Sequence, residues 1–328
     1  MPSRRVQELR GSFYIYLPKN WCKKVGLKSG QELNLFESSD GAVTILPPGA
    51  SLKGKAEIGF KIDDYDEKTI ITLIVSSYIS GARKLEIISA WPISIEMREK
   101  ISKITRQLLG FEIVSETEKG IVINDVSLAL TIKPLMKREL SAVKYMLLSI
   151  ISLLESPNVK DAKIIVNRDK DVDRYHYAIE RLSHLALKNP TYALEVGLAT
   201  EDCLNYYMAS KFVERTADHI VGIAKEIIKG RKIPEKLKAI AGEISSIYDG
   251  VLQAFFAKGI DFHKVISDIL SQSPSIIDEL DRTGEEAGER ILTMHFRRIV
   301  NYCTDLAEIA IDQNVSRIMD EKGILEQE

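Results

Sequence analysis

Four carboxylates in the second half of the chain have the spacing of a metal-binding cluster. Asp169 and Asp173 stand four positions apart in NRDKDVDRYHYAIERL, and Glu214 and Asp218 repeat that spacing in FVERTADH. Side chains at i and i+4 lie on one face of a helix, where like charges cost about 0.2–0.5 kcal/mol per pair. If the two helices are antiparallel neighbours, the four carboxylates converge on a hard cation or a small iron cluster. The alternative is a solvated helix face.

Neighbouring residues do not point to catalysis. His176 and His219 are expected to be hydrogen-bonded or exposed rather than metal ligands, and Arg215 is a partial counter-ion for the adjacent Glu214. Carboxylate-bridged diiron enzymes use Glu-x-x-His pairs, whereas the nearest pair here, Glu180 and His184, has i,i+4 spacing. We therefore expect that the chain is not an enzyme.

The elements that carry these acids are long helices. From Lys133 onward strand signals stop, and short breaks such as SPN and KGRKIP separate amphipathic stretches. Short connections make consecutive helices antiparallel neighbours, so two three-helix bundles are the simplest arrangement. The expected helices are 135–155, 159–188, 191–229, 234–258, 262–289 and 290–321.

An internal duplication accompanies these helices. ERTADHIVGIA (214–224) aligns without a gap with RRIVNYCTDLA (297–307), at an offset of 83 positions. Arg215 matches Arg298, Ala224 matches Ala307, and most apolar positions stay apolar. The alignment indicates that the two bundles are repeats.

The helical half resembles the PhoU family of phosphate-uptake regulators. The residues that carry the resemblance are FVERTADHIVGIAKE, DKDVDR and the weaker FRRIVNYCTDLAEIA, within about residues 135–320. The resemblance implies repeated three-helix bundles whose paired acids bind a multinuclear iron or zinc cluster, and a role in sensing phosphate status. Matched position by position, the implied ligands are Asp169, Asp173, Glu214 and Asp218.

The second repeat departs from the PhoU pattern. Arg297 stands where glutamate is expected and Asn301 where aspartate is expected, while the partner helix offers Ile277 and Asp281. A second metal cluster is therefore not expected. With an arginine in place of a ligand, this surface is expected to repel cations and to hold an anion or a carboxylate partner.

The N-terminal end is basic. Residues 1–28 carry seven Lys and Arg against the single acid Glu8, whereas the charged residues of 29–48 are all acidic, in a chain of net charge −2. This asymmetry indicates a polyanionic partner. Short β-type runs surround a helix at PKNWCKKVG, and a hairpin is expected around Ser38–Gly41. So small a unit buries little surface alone and is expected to dimerise.

This end resembles the AbrB/SpoVT swapped-hairpin family over nearly all of residues 4–48. The resemblance is carried by GSFYIYLPKNWCKKVGLKSGQELNLFE. It implies that two chains interleave their hairpins into one β-barrel that lays a basic face on double-stranded DNA. The alternative is a basic module that serves only for dimerisation. The candidate DNA-contacting residues are Arg4, Arg5, Arg10, Lys19, Lys23 and Lys24.

Between the two ends, the pattern is α+β. After a Pro/Gly linker at PPGASLKG (47–54) we expect strand 56–62, helix 67–80, strand 84–88, helix 94–109, and strands 111–115 and 120–124. No catalytic motif emerges there. The expected domains are 1–49 (AbrB-like), 50–132 (α+β), 133–230 and 231–328 (PhoU-like bundles), in a multidomain, mainly α chain.

Composition agrees with a globular protein of 328 residues. No run reaches the roughly 20 apolar residues that cross a bilayer, and the start lacks the apolar stretch of a signal peptide. Three scattered cysteines indicate neither disulfides nor a thiolate zinc site. We expect a cytoplasmic location and no insertion into the membrane.

The whole chain resembles archaeal regulators that join an AbrB-like head to a PhoU-like body. The leading hypothesis is a homodimeric, DNA-binding transcriptional regulator of phosphate uptake or metabolism, whose body senses phosphate status, a metal or a partner. The alternative is an adaptor that binds a phosphate transporter subunit or a sensor kinase and uses its head only to dimerise.

Overall fold

The protein forms two compact units, here called the head (Met1–Gly54) and the body (Lys55–Glu328). The computed structural model describes residues 3–37, 41–47, 56–127, 130–189, 192–193, 198, 200–256, 260–283 and 287–325. The expected linker at 47–54 lies almost entirely outside these residues. The expected boundaries of the individual domains stay predictions.

The head consists of two antiparallel hairpins and one short helix. Its elements are β1 (Gln7–Leu9), β2 (Ser12–Tyr14), α1 (Lys19–Lys24), β3 (Asn34–Glu37) and β4 (Val43–Leu46). The first hairpin has a two-residue turn, since Leu9 pairs with Ser12. Arg10 and Gly11 in this turn both have positive φ, 53° and 79°, as a type I′ turn requires. In the second hairpin, residues 38–40 lie outside the described part.

No residue of the described part of the head is buried in the single chain. Phe13 is 75% exposed and Leu35 is 65% exposed, although alternation along their strands indicates a face meant for a core. The expected closed barrel is not shown; what the described residues form is two separate two-stranded sheets. The physical reason is size, because two short hairpins cannot cover each other's apolar faces.

The α+β pattern of the middle region is confirmed. Strand order is β5-β6-β8-β7, with β5 and β6 parallel and the other pairs antiparallel. Leu85, Ile87, Ile121 and Ile123 form a buried core with Ile70, Ile74 and Ile101 of the two helices. The elements are β5 (Glu57–Lys61), α2 (Glu67–Ile79), β6 (Lys84–Ile88), α3 (Ile95–Gln107), β7 (Phe111–Thr117) and β8 (Gly120–Asp125).

Within the described residues, six long helices complete the body, so its mainly helical nature is confirmed. They are α4 (Ile132–Glu155), α5 (Val159–Lys188), α6 (Thr200–Ile228), α7 (Glu235–Phe256), α8 (Ile260–Asp281) and α9 (Ala287–Leu325). α4, α5 and α6 pack on one another, as do α7, α8 and α9. The two sets also meet along α6–α9 and α4–α7, so one hydrophobic core runs through both. The expected helix started at 191; α6 is described from Thr200 onward, and most of residues 190–199 lie outside the described part.

The buried Arg181 joins the middle region to α5. Its guanidinium lies 2.6 Å from Asp125 Oδ2 and donates to the carbonyl oxygens of Ala82, at 2.9 Å, and Tyr78. It also lies over the rings of Tyr78 and Phe111. This network fixes the sheet domain to the helical part of the body.

Within the described residues, no helix is long and apolar enough to cross a membrane.

Candidate functional site

The four predicted ligands lie on α5 and α6, which pack directly on each other, and they interact electrostatically. Asp169 and Asp173 lie half-buried on α5, while Glu214 is largely covered and Asp218 is exposed on α6. We call Asp169, Asp173, Glu214 and Asp218 the carboxylate cluster. Lys211 Nζ lies 2.9 Å from Glu214 Oε2 and is a cation within the group.

The electrostatics of the carboxylate cluster show that its members repel one another. Burial raises the pKa of Asp169 to about 6, and Asp218 and Glu214 add to the rise. Burial raises the pKa of Asp173 to about 7, with further contributions from Asp169, Glu214 and Asp218. The structure therefore brings the two sequence-predicted pairs into one electrostatic unit.

A fifth carboxylate, Glu139 on α4, lies beneath this cluster and was missed by sequence reasoning. Its side chain is fully buried, and among the described residues no donor lies in hydrogen-bonding geometry with either carboxyl oxygen, although the Ser210 hydroxyl is close. Burial raises its pKa well above the ordinary value; the Ser210 hydroxyl opposes the rise, and the charges of Glu214 and Asp173 add to it. The signal in the sequence is a single acid on an apolar helix stripe, between Met136 and Leu140.

The donor chemistry of this region suits a cation, although the geometry is not that of a closed metal site. Among the described residues, no group of three or more His, Cys, Asp or Glu side chains is arranged to hold a metal ion. Carboxylate oxygens are the donors that hard cations prefer, and a bound cation would relieve both the mutual repulsion and the unpaired oxygens of Glu139. The metal ligands therefore stay a prediction.

The histidines near the cluster are hydrogen-bonded, as predicted. His176 Nδ1 lies 2.9 Å from Ser210 Oγ, and burial lowers its pKa to about 4. His219 Nδ1 lies 2.8 Å from His295 Nδ1 on α9. Both contacts lie between neighbouring helices, α5 with α6 and α6 with α9.

At the corresponding position of the second repeat, an arginine and a carboxylate form an ion pair. Arg297 Nη1 lies 3.0 Å from Asp281 Oδ1, with both side chains about half exposed. Arg297 is one of the residues at which the sequence departs from the acidic pattern, whereas Asp281 is the acid that the partner helix offers beside Ile277. The arginine is thus paired with the carboxylate of the neighbouring helix, as the sequence analysis allows.

The six basic candidates of the head are all exposed. Arg10 occupies the turn of the first hairpin, and Lys19, Lys23 and Lys24 lie on α1. Arg4 precedes β1, next to Arg5. In the described part of the chain, none of the six forms an ion pair with a carboxylate, and their contact with DNA stays a prediction.

Comparison with known proteins identifies one region. Residues 136–227 match the family model of the PhoU domain, a stretch that covers most of α4, all of α5 and nearly all of α6. The chain is also similar to the crystal structure of the phosphate transport system regulatory protein PhoU from Streptococcus pneumoniae. That similarity has a TM-score of 0.42 and 17% sequence identity, over 55% of this chain and 91% of the other. Among curated proteins, none matches the chain.

Proposed function

We propose that the protein is a non-enzymatic, homodimeric regulator of phosphate uptake or metabolism, which binds duplex DNA through its head and receives a signal through its body. The PhoU-domain match at residues 136–227 is the observation that carries the phosphate-related part. The matched stretch includes all four residues of the carboxylate cluster.

The DNA-binding part of the proposal rests on the chemistry of the head. Six exposed, unpaired cationic side chains stand on a small module whose apolar faces are open in one chain. Pairing two heads covers those faces and doubles the positive charge on one platform. Each phosphate contact would release condensed counterions, so affinity would fall steeply with salt.

The proposal is tested by mobility-shift titrations of promoter fragments with the full-length protein across a salt series. We expect log Kobs to fall linearly with log salt concentration, and the slope to decrease in the Lys23→Gln/Lys24→Gln double variant. The control is Lys100→Gln, a half-buried lysine of the body that bridges Glu67 and Glu96. No retarded band at low salt would rule out DNA binding.

The carboxylate cluster is the proposed input site, where Asp169, Asp173, Glu214 and Asp218 hold iron or zinc. A bound metal cluster would supply positive charge that neutralises these acids and ties α5 to α6. Metal analysis of purified wild-type and Asp218→Asn protein tests this: bound metal is expected in the first and a marked decrease in the second. Equal metal content in the two proteins would show that the carboxylate cluster is an ordinary solvated surface.

The second candidate function is an adaptor that docks on a phosphate transporter subunit or a sensor kinase, with the head used only for dimerisation. The same PhoU-domain match favours it, because nothing in that match requires DNA. The two candidates differ in the salt series, since an adaptor dimer would give no salt-dependent complex with DNA.

A further inference from the structure

The sheet of the middle region ends in a strand whose outer edge is exposed. β5 lies at one end of the order β5-β6-β8-β7, and within the described residues no strand lies beyond it. In the single chain Phe60 is half-buried, and the exposed residues of the strand are Glu57, Ile58, Gly59 and Lys61. An edge of this kind presents a row of backbone donors and acceptors to which another strand can be added.

The direction of the backbone groups of β5 follows from its hydrogen bonds to β6. The carbonyl oxygen of Ala56 accepts from the N–H of Arg83 at 2.8 Å, and the N–H of Ile62 donates to the carbonyl oxygen of Ile88 at 2.9 Å. Backbone groups of successive strand residues point to opposite sides, so those of the even positions face β6. The residues whose N–H and C=O groups therefore point to the outer edge are Glu57, Gly59 and Lys61.

The side chains of β5 are complementary to a second copy of the same strand running antiparallel. When Gly59 of EIGFK stands opposite Gly59 of a second chain, Glu57 stands opposite Lys61, and Ile58 stands opposite Phe60. Two-fold symmetry makes each of these two pairs occur twice. Opposite charges and apolar side chains that face each other across antiparallel strands are stabilising pairs. This register also places the outward-pointing backbone groups opposite one another, as hydrogen-bonded pairs of an antiparallel ladder.

The two charges of β5 have weak partners within their own chain. Glu57 Oε2 lies 3.9 Å from Lys84 Nζ, whereas the same lysine lies 2.5 Å from Glu86 Oε1. Lys61 is exposed and, in the part of the chain that the structure describes, forms no ion pair. The acid nearest to it in sequence, Asp63, accepts hydrogen bonds from the Ser89 hydroxyl and the Ala90 N–H. Both charges of β5 can therefore pair across the edge.

Gly59 has no packing role inside its own chain. A Cβ atom there would lie 3.7 Å from the Cβ and carbonyl oxygen of Glu86, which is ordinary van der Waals contact. Glycine weakens a strand interior and often marks a position where another backbone approaches closely. In the antiparallel pair this position lies on the two-fold axis, where the two backbones meet.

Apolar surface beside β5 is also uncovered. Ile58 is 40% exposed, although it lies on the face of the sheet that carries the buried Leu85. A groove of about 300 Å³ lies beside it, between β5 and α2, with Phe60 and Leu73 in its lining. In the register above, Phe60 of the second chain lies across from Ile58 and covers part of this surface.

The opposite edge of the sheet, β7, is not suited to the same pairing. A register shift between Ile113 and Ser115 interrupts its ladder with β8, and such bulges protect an edge from further pairing. An antiparallel copy of FEIVSET centred on Val114 would place Glu112 opposite Glu116, and like charges in direct opposition are destabilising. The complementarity is thus specific to β5.

We propose that β5 pairs with β5 of a second copy of this chain, antiparallel and centred on Gly59, so that two four-stranded sheets become one continuous sheet. The inference rests on the proposed dimerisation of the head, since two strands of five residues bury too little surface to hold a dimer alone. The ten residues 47–56 separate β4 from β5 and span at most about 35 Å. Paired heads therefore keep the two β5 strands at a high effective concentration, at which a weak contact forms.

The test is disulfide cross-linking of the full-length protein with a cysteine at the centre of the strand pair. Residues of a hydrogen-bonded antiparallel pair have Cα atoms about 5.5 Å apart, which a disulfide can span. The variant is Gly59→Cys in a Cys22→Ser background, because Cys22 is half-buried while the other two cysteines, Cys203 and Cys303, are buried. We expect a covalent dimer after oxidation with diamide. The matched control is Val114→Cys, 49% exposed on β7, which is expected to stay uncross-linked.

Exchange of the two charges tests the register of the pair. In the Gly59→Cys protein, Lys61→Glu places two carboxylates opposite each other and is expected to slow cross-linking about tenfold. Adding Glu57→Lys restores opposite charges across the two chains and is expected to return the rate to near its original value. Within one chain the exchange removes the contact of Glu57 with Lys84 and restores nothing, so recovery must come from the second strand.

The inference is overturned if Gly59→Cys forms no disulfide in a protein that light scattering shows to be a dimer. The edge would then be left to a strand of a different protein. Equal cross-linking of Gly59→Cys and Val114→Cys, or no recovery after the charge exchange, would also overturn it. Mobility shifts on the same samples keep the two proposals apart. A cross-linked protein that retards no DNA refutes only the DNA-binding part, and a dimer that retards DNA without cross-linking refutes only the strand pairing.

Discussion

At the residue scale, the carboxylate cluster makes the stability of the metal-free protein depend on pH. The pKa of Asp173 is about 7 in the folded chain against an ordinary 3.8, so the folded state binds more protons than the unfolded state between these values. The free energy of unfolding therefore decreases as pH rises from about 4 to about 7. We expect Asp173→Asn to flatten this dependence and to stabilise the metal-free protein at pH 7.5 by about 1 kcal/mol, after allowance for solvent screening.

Urea unfolding in the presence of a chelator, at pH 5 and pH 7.5, measures this effect. Asp171→Asn is the control on the same helix, since Asp171 is paired with Arg168 at 2.8 Å and is not a member of the cluster. An Asp173→Asn protein that keeps the full wild-type dependence on pH would show that repulsion within the cluster is negligible.

Glu139 is a buried acid whose carboxyl oxygens have no hydrogen-bond partner among the described residues. Its replacement is expected to change the free energy of unfolding and the bound metal in opposite directions. Methionine has a similar length and no polar atom to leave unsatisfied, so Glu139→Met is expected to stabilise the metal-free protein by about 1–2 kcal/mol. If Glu139 helps to hold the cation, the same variant retains less metal. Thermal unfolding and metal analysis, with the exposed Glu155→Met of the same helix as control, measure both. A destabilised variant would show that Glu139 has a structural partner.

At the element scale, the turn of the first hairpin places Arg10, a candidate DNA-contacting residue, in an unfavourable backbone conformation. Arg10 has a φ of 53°, which costs a non-glycine residue about 1 kcal/mol, whereas asparagine is favoured at this position of a type I′ turn. We expect Arg10→Asn to make the head more stable and its DNA complex weaker and less dependent on salt. Unchanged DNA affinity together with higher stability would remove Arg10 from the DNA-binding surface.

The attachment of the sheet domain to α5 depends on one side chain. In Arg181→Met, Asp125 and two carbonyl oxygens lose their buried donor, and removing one partner of a buried pair costs about 3–5 kcal/mol. Arg297→Met, which breaks an exposed pair with Asp281, is the control and is expected to cost less than about 1 kcal/mol. Chemical denaturation followed by circular dichroism measures both. Equal costs would mean that Arg181 is solvated or replaceable.

Most elements could be predicted from the sequence, because periodicity and caps are local properties. Asp66 and Ser94, for example, cap α2 and α3 by accepting from backbone N–H groups, and both helices lie within two residues of the expected 67–80 and 94–109. The partners of Arg181 and the pairing of His219 with His295 could not be predicted, since they join residues far apart in the chain. The spacing within each acid pair predicted a shared helix face, but only the packing of α4 against α5 and α6 places Glu139 beside them.

At the scale of the whole molecule, the exposed apolar faces of the head are the feature that a second chain would explain. Phe13 is 75% exposed on β2, and contiguous apolar surface of this kind marks an interaction site. If two heads pair through these faces, Phe13→Asp converts the dimer to a monomer and abolishes DNA binding with it, because the basic surface is then halved. Ile95→Asp, which changes an apolar side chain 87% exposed on α3, leaves both properties intact. Light scattering coupled to size-exclusion chromatography measures the mass, and mobility shifts measure DNA binding. A Phe13→Asp protein that is still a dimer would show that the dimer contact lies elsewhere. A monomer that binds DNA with wild-type affinity would show that DNA binding does not depend on dimerisation.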